Sequence, residues 1–126
     1  MRRVILLRHA KSSWDDPSLT DRERPLARRG RKDAPRMGKF LRKAGFVPDT
    51  VLCSSARRAR DTWSLVADKL GKAPKPAIEE GLFMVAPRRL LARLRRLDDA
   101  SETVLVVGHN PGLEGLAAGS RWQRRG

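Results

Sequence analysis

Cysteine is almost absent: Cys53 is the single thiol in 126 residues. An intrachain disulfide is therefore excluded, and so is a zinc site built on thiolates. Histidine occurs only at positions 9 and 109, so no short ligand spacing exists and no metal is expected. Tyrosine is missing, and three Trp and three Phe make up all the aromatics. Sites for single-stranded nucleic acid interleave aromatics with cations to stack bases, and so few rings make that class a poor fit. No apolar run approaches the roughly 20 residues of a membrane span. The apolar stretch Val4–Leu7 is also too short for a signal-peptide core. The expectation is a cytoplasmic protein with no membrane partner.

What the chain has in abundance is positive charge. Lys and Arg total 28 against 14 Asp and Glu, a net charge of +14. Such a field attracts nucleic acid, acidic proteins and phosphorylated substrates without choosing among them. The cations are spread along the chain, which reads chiefly as a solvated basic surface. The length fits one domain over 1–126, with 40% apolar residues to build its core.

Short apolar runs alternate with longer amphipathic stretches, which predicts an α/β fold with a mostly parallel central sheet between helices. Val4–Leu7, Thr50–Cys53 and Val104–Val107 read as strands. The polar segment from Lys11 to Pro25 reads as a loop, with Trp14 packing it. A first helix is expected with Asp33 as cap and Pro35 in its first turn, or starting earlier near Ala27. Its buried face would be Ala34, Met37, Leu41 and Ala44, and Gly45 would end it. A second helix carries Trp63, Val66, Ala67 and Leu70 at the spacing of a buried stripe, with Gly71 as its stop. A third starts near Pro87 and buries Leu90, Leu91, Leu94 and Leu97, and a short fourth contains Leu113, Leu116 and Ala117. The tail Ser120–Gly126 has no pattern.

Two strands end alike, one running into Arg8-His9 and the other into Gly108-His109. In an open parallel sheet, ligands bind beyond the carboxyl ends of the strands, so both histidines would project into one crevice. The third strand ends at Cys53-Ser54, and Arg57, Arg58 and Arg60 follow in the first turn of the next helix. A helix start offers unpaired N–H groups and partial positive charge, which suit a phosphate. Either Arg57 or Arg58 can act as the phosphate clamp there. Gly108 allows a ligand to approach the backbone closely.

Arg8-His9-Ala10 resembles the Arg-His-Gly/Ala signature of the histidine phosphatase superfamily. The longer run through Lys11, Ser12, Ser13 and Trp14, then Asp21, Arg24-Pro25-Leu26 and Arg29-Gly30, is similar to the SixA-type phosphohistidine phosphatase branch. Ser54 to Thr62, with Arg58-Ala59, resembles the family's second motif, and Gly108-His109-Asn110-Pro111 its third. The match runs from residue 2 to about 118, leaving 119–126 atypical. Ser55 stands where the family usually has Pro, and Phe83 where Tyr is common.

The resemblance implies a phosphoglycerate mutase-like three-layer α/β/α sandwich and a phosphatase that needs no cofactor. His9 would attack phosphorus, Arg8 and Arg58 would hold the phosphoryl oxygens, and His109 would add a donor. The motif register selects Arg58 over Arg57, and leaves Arg57 and Arg60 on the surface. Ser12, Arg24 and Asn110 are substrate-binding candidates, with Lys11 a weaker one; Arg24 equally fits an ion pair with a loop Asp. Glu79 and Glu80 are the candidates by position for a general acid, Glu80 first. A phosphohistidine substrate would relieve the need for one, because its imidazole leaving group is protonated near neutral pH. The expected substrate is a phosphohistidine-bearing protein, with a small phosphate monoester as the alternative; inorganic phosphate or sulfate would fit the same site. A basic polyanion-binding module and a relative that holds phosphate without turnover are the other readings. Family members continue past the third motif into at least one more strand. Its absence here is expected to leave a sheet edge that a second copy of the chain would cover, giving a homodimer.

Overall fold

The structure, a computed structural model, describes residues 2–119. The strands are β1 (Arg3–Arg8), β2 (Thr50–Ser54), β3 (Ala77–Glu79) and β4 (Thr103–Gly108). The helices are α1 (Arg28–Lys43), α2 (Arg57–Leu70), α3 (Pro87–Arg95) and α4 (Gly112–Gly119). All strand pairings are parallel, in the order β1-β4-β2-β3. The expected α/β fold with helices on both faces is the observed one. The tail Ser120–Gly126 and the expected absence of a further strand lie outside the described residues.

Alternation along the strands explains the layers, because successive side chains point to opposite faces. Val51, Cys53, Leu105 and Val107 face one core with Ala34 and Leu41 of α1 and Ala59, Trp63, Val66 and Leu70 of α2. Leu52, Val104 and Val106 face the other core with Leu90 and Leu94 of α3 and Leu113 and Leu116 of α4. Covered on both sides, β4 is buried along its whole length, whereas β1 at the edge is only partly so.

α1 begins at Arg28 with Ala27 as its cap, so the earlier of the two expected starts is correct and Asp33 caps nothing. Pro35 lies inside the helix, where it removes one backbone donor. Packing holds α1 together across that gap. Its buried face is Gly30, Ala34, Gly38 and Leu41, while Met37 and Ala44 are exposed. A side chain at Gly38 would collide with the Val66 carbonyl of α2, and one at Gly30 with the Lys11 carbonyl. The glycines let α1 approach both neighbours closely, and an apolar count that ignores glycine misses this stripe. The α2 stripe and its stop at Gly71 are as expected, with φ of 82° at Gly71. β3 was not expected: three residues behind a Pro-containing loop, with Ile78 exposed, carry no readable alternation.

Candidate active site

β1 and β4 are adjacent and in register, Arg8 opposite Gly108, so His9 and His109 leave the sheet side by side. Their ring centroids are 5.2 Å apart. β2 flanks β4 on the other side and delivers α2, whose second residue is Arg58. The three motifs therefore meet at the carboxyl ends of three neighbouring parallel strands, where such sheets bind ligands.

Arg58 is 2% exposed and joins both histidines. Its Nε donates to His9 Nε2 at 3.3 Å, and its Nη2 approaches His109 Nδ1 at 3.4 Å. His9 Nδ1 lies 2.8 Å from the Ala10 carbonyl oxygen. A carbonyl only accepts, so Nδ1 carries the proton and Nε2 keeps its lone pair. His109 is oriented from the far side, its Nε2 2.7 Å from Ser54 Oγ. Ser54 Oγ also accepts from the Ala56 N–H, which fixes the hydroxyl between β2 and α2. Phe83 meets His109 edge-on at 5.4 Å, a contact that needs no phenol hydroxyl.

Both imidazoles are held neutral. Burial is the largest cause for His9, reinforced by Arg58, Arg8 and Arg24 and partly offset by the Ala10 bond. Burial and then Arg58 push His109 down to about 4. A neutral His9 with its lone pair on Nε2 is a nucleophile at neutral pH. Burial pushes the Cys53 thiol up to about 12, so it stays protonated and unreactive.

Three supporting residues had no role assigned from the sequence, although the quoted motifs contained them. Asp21 binds Arg58 through its backbone oxygen at 2.6 Å and its carboxylate at 3.1 Å. Its other carboxylate oxygen accepts from Arg24 Nε at 3.0 Å. Burial alone would raise the Asp21 carboxyl, but Arg58 and Arg24 hold it below the ordinary carboxylate range. Thr62 Oγ1 accepts from the Ala10 N–H at 3.0 Å and donates to the Arg58 carbonyl at 2.7 Å, tying the loop after His9 to the helix that carries Arg58. Ser54 is the third. Only their spacing within motifs signalled them, since their partners are distant in sequence.

The remaining candidates divide. Arg8 is exposed and lines a trough of about 380 Å³ with His9, Ala10, Lys11, Ser12, Trp14, Arg29 and Asp33. Arg24 is buried and organises the loop, donating to Asp21, to Ser12 Oγ at 3.0 Å and to the Ser13 carbonyl at 3.2 Å. Its guanidinium lies 3.4 Å from the Trp14 ring centroid, yet Trp14 is 73% exposed rather than packed into the loop. Asn110 closes the start of α4, exchanging hydrogen bonds with Glu114. Glu80 pairs with Arg22 at the surface, and Glu79 makes a two-pronged bond with Arg93 that lowers its pKa. Arg57 pairs with Asp61 on the surface, and Arg60 donates to the Ser55 carbonyl. Among the described residues, no three His, Cys, Asp or Glu side chains are grouped to hold a metal.

Comparison with known proteins finds a matching family and similar solved structures. The family model described as "Histidine phosphatase superfamily (branch 1)" matches residues 4–83. An uncharacterized protein of Mycobacterium tuberculosis is 39% identical over 111 residues, covering 88% of this chain and 67% of that one. The chain spans only 28% of the length of an uncharacterized chloroplastic Arabidopsis thaliana protein, 51% identical over 61 residues and 48% of this chain. A SixA structure from Agrobacterium tumefaciens superposes with a TM-score of 0.86 at 28% identity, over 93% of this chain and 75% of that one. The protein histidine phosphatase SixA solved with tungstate gives 0.83 at 26% identity, over 91% and 74%.

Proposed function

The chain belongs to the histidine phosphatase superfamily, and from that premise we propose that it removes phosphate from phosphohistidine side chains of proteins through a phospho-His9 intermediate. The observation that carries this reading is the bridge made by Arg58, 3.3 Å from the free nitrogen of His9 and 3.4 Å from His109. A phosphoryl group placed against His9 Nε2 meets a fixed guanidinium at its oxygens, which is where negative charge spreads during transfer. Arg8 supplies a second cation from the trough lining.

In the first step the Nε2 lone pair forms the new N–P bond as the donor's P–N bond breaks. The electrons of that bond go to the leaving imidazole nitrogen, which takes a proton from water. Water then attacks phospho-His9, releasing inorganic phosphate and returning His9 with its lone pair. An imidazole leaves without a strong acid because its nitrogen is protonated near neutral pH. An alkoxide needs one. The carboxylates Asp21 and Glu79 are held ionised by arginines, and Glu80 is engaged by Arg22, so an N-linked donor suits this site better than an ester. The similarity to SixA structures supports the same choice.

Parallel assays on a histidine-phosphorylated protein and a sugar phosphate test the assignment. Turnover of the first at a kcat/KM well above that of the second supports it. Preference for the sugar phosphate sinks it.

A further inference from the structure

We propose that the outward face of α1 docks the protein that carries the phosphohistidine, and that this protein presents an acidic surface with an apolar contact at its centre. The proposal rests on the phosphohistidine reading above and adds the surface through which selection works. Residues three or four apart on a helix share a face. Arg29, Asp33, Arg36 or Met37, and Phe40 therefore form one stripe along α1. Its first two members line the His9 trough, so the stripe begins at the mouth of the site and runs away from it.

Three of the five exposed large apolar side chains of the described residues lie on this path: Trp14 at 73%, Met37 at 40% and Phe40 at 55%. A solvated helix face has no need of a phenylalanine, whereas interfaces place aromatic and Met side chains inside a polar rim. The surroundings set the partner's sign. α1 carries eight Lys and Arg against one Asp in its 16 residues. Two such faces repel each other, which disfavours a second copy of the chain as the occupant. An acidic protein gains both faster encounter and contact energy from the same face.

The double variant Met37→Ser/Phe40→Ser tests this without touching the pocket, because both side chains are exposed and neither lines the trough. Wild type and variant are assayed on a histidine-phosphorylated protein and on phosphoramidate, a small N-linked phosphodonor. The expected result is a fall of about thirty-fold in kcat/KM for the protein, the scale of a hot-spot loss, with phosphoramidate turnover unchanged. Equal activity of wild type and variant on the protein overturns the docking face and leaves the proposed reaction standing. Equal loss on both donors also overturns it, since the defect then lies in the fold or pocket. If wild type turns over phosphoramidate but not the protein, the proposed function fails and the docking face with it. A wild-type dimer in sedimentation that the variant dissociates assigns the face to a second copy and overturns the proposal.

Discussion

Replacing Asp21 with Asn separates what the carboxylate does for the fold from what Arg58 does for the ligand. Asp21 neutralises two cations, Arg58 at 3.1 Å and Arg24 at 3.0 Å, and the Arg58 side chain is 3% exposed. Asn keeps the backbone bond from the Asp21 carbonyl to Arg58 but removes the charge. Hydrogen bonds to charged groups contribute about 1.5–3 kcal/mol. Because the Asp21 side chain is 49% exposed, solvent screening reduces that, and about 1–2 kcal/mol is the expected loss. Unfolding entropy near 2.1 cal/mol/K per residue converts this to a drop of roughly 4–8 °C in Tm for 126 residues. The sign with pH follows from the depressed carboxyl. The contribution is full above the unfolded carboxyl value of about 3.9 and is lost as pH falls through the lower folded value, so wild type and variant converge in acid. Phosphate reverses the comparison. On the proposed assignment, phosphate shares Arg58 with a carboxylate in the wild type and meets an uncompensated cation in Asp21→Asn. Added phosphate should therefore raise the variant's Tm by more than the wild type's, which thermal melts at neutral pH with and without phosphate measure. An unchanged Tm, or an equal phosphate shift in both proteins, refutes the reasoning.

Other perturbations probe different links. Gly38→Ala forces a methyl group into the Val66 carbonyl and should cost about 1–3 kcal/mol, the range for overpacking, read as a lower urea midpoint at unchanged m-value. Thr62→Val leaves the Ala10 N–H unpaired, at about 1–3 kcal/mol, and should lower kcat as well as stability. His109 is neutral when folded down to about pH 4, while the unfolded imidazole takes a proton near 6.5. The unfolded state then binds more protons between these values, so stability should fall as pH drops from about 6.5 to about 4. A His109→Gln variant should show a flatter profile in denaturant titrations across that window.

The fold was legible wherever one side chain set decided the outcome. Three of the four strands stood out as continuously apolar runs, because helices pack on both faces of the parallel sheet. α2 stood out because Trp63, Val66 and Leu70 form a simple stripe. α1 was harder, since close packing there is made by glycines, which carry no hydrophobic signal, and since Pro35 suggested a helix start. β3 is too short and too exposed to announce itself. At the site, matched strand ends pointed to His9 and His109 before any family was considered, and the second motif's register selected Arg58, which the structure sets between them. Arg24 and Asn110 show the limit. Polar residues near a strand end look alike in sequence whether they face a ligand or hold a loop, and here Arg24 bonds to Ser12, Ser13 and Asp21 and Asn110 to Glu114. Asp21 and Thr62 were hidden for the complementary reason, because their importance lies in partners 37 and 52 positions away.

The central claim concerns a single nitrogen. Rapid mixing with a labelled N-linked phosphodonor, quenching in base and mapping of the label by peptide analysis, with phosphorus NMR to assign the ring position, tests it directly. The account predicts phosphate on His9 at Nε2, absent from His9→Ala, which should also lose turnover. Label at another residue or at Nδ1, or substantial turnover by His9→Ala, contradicts it.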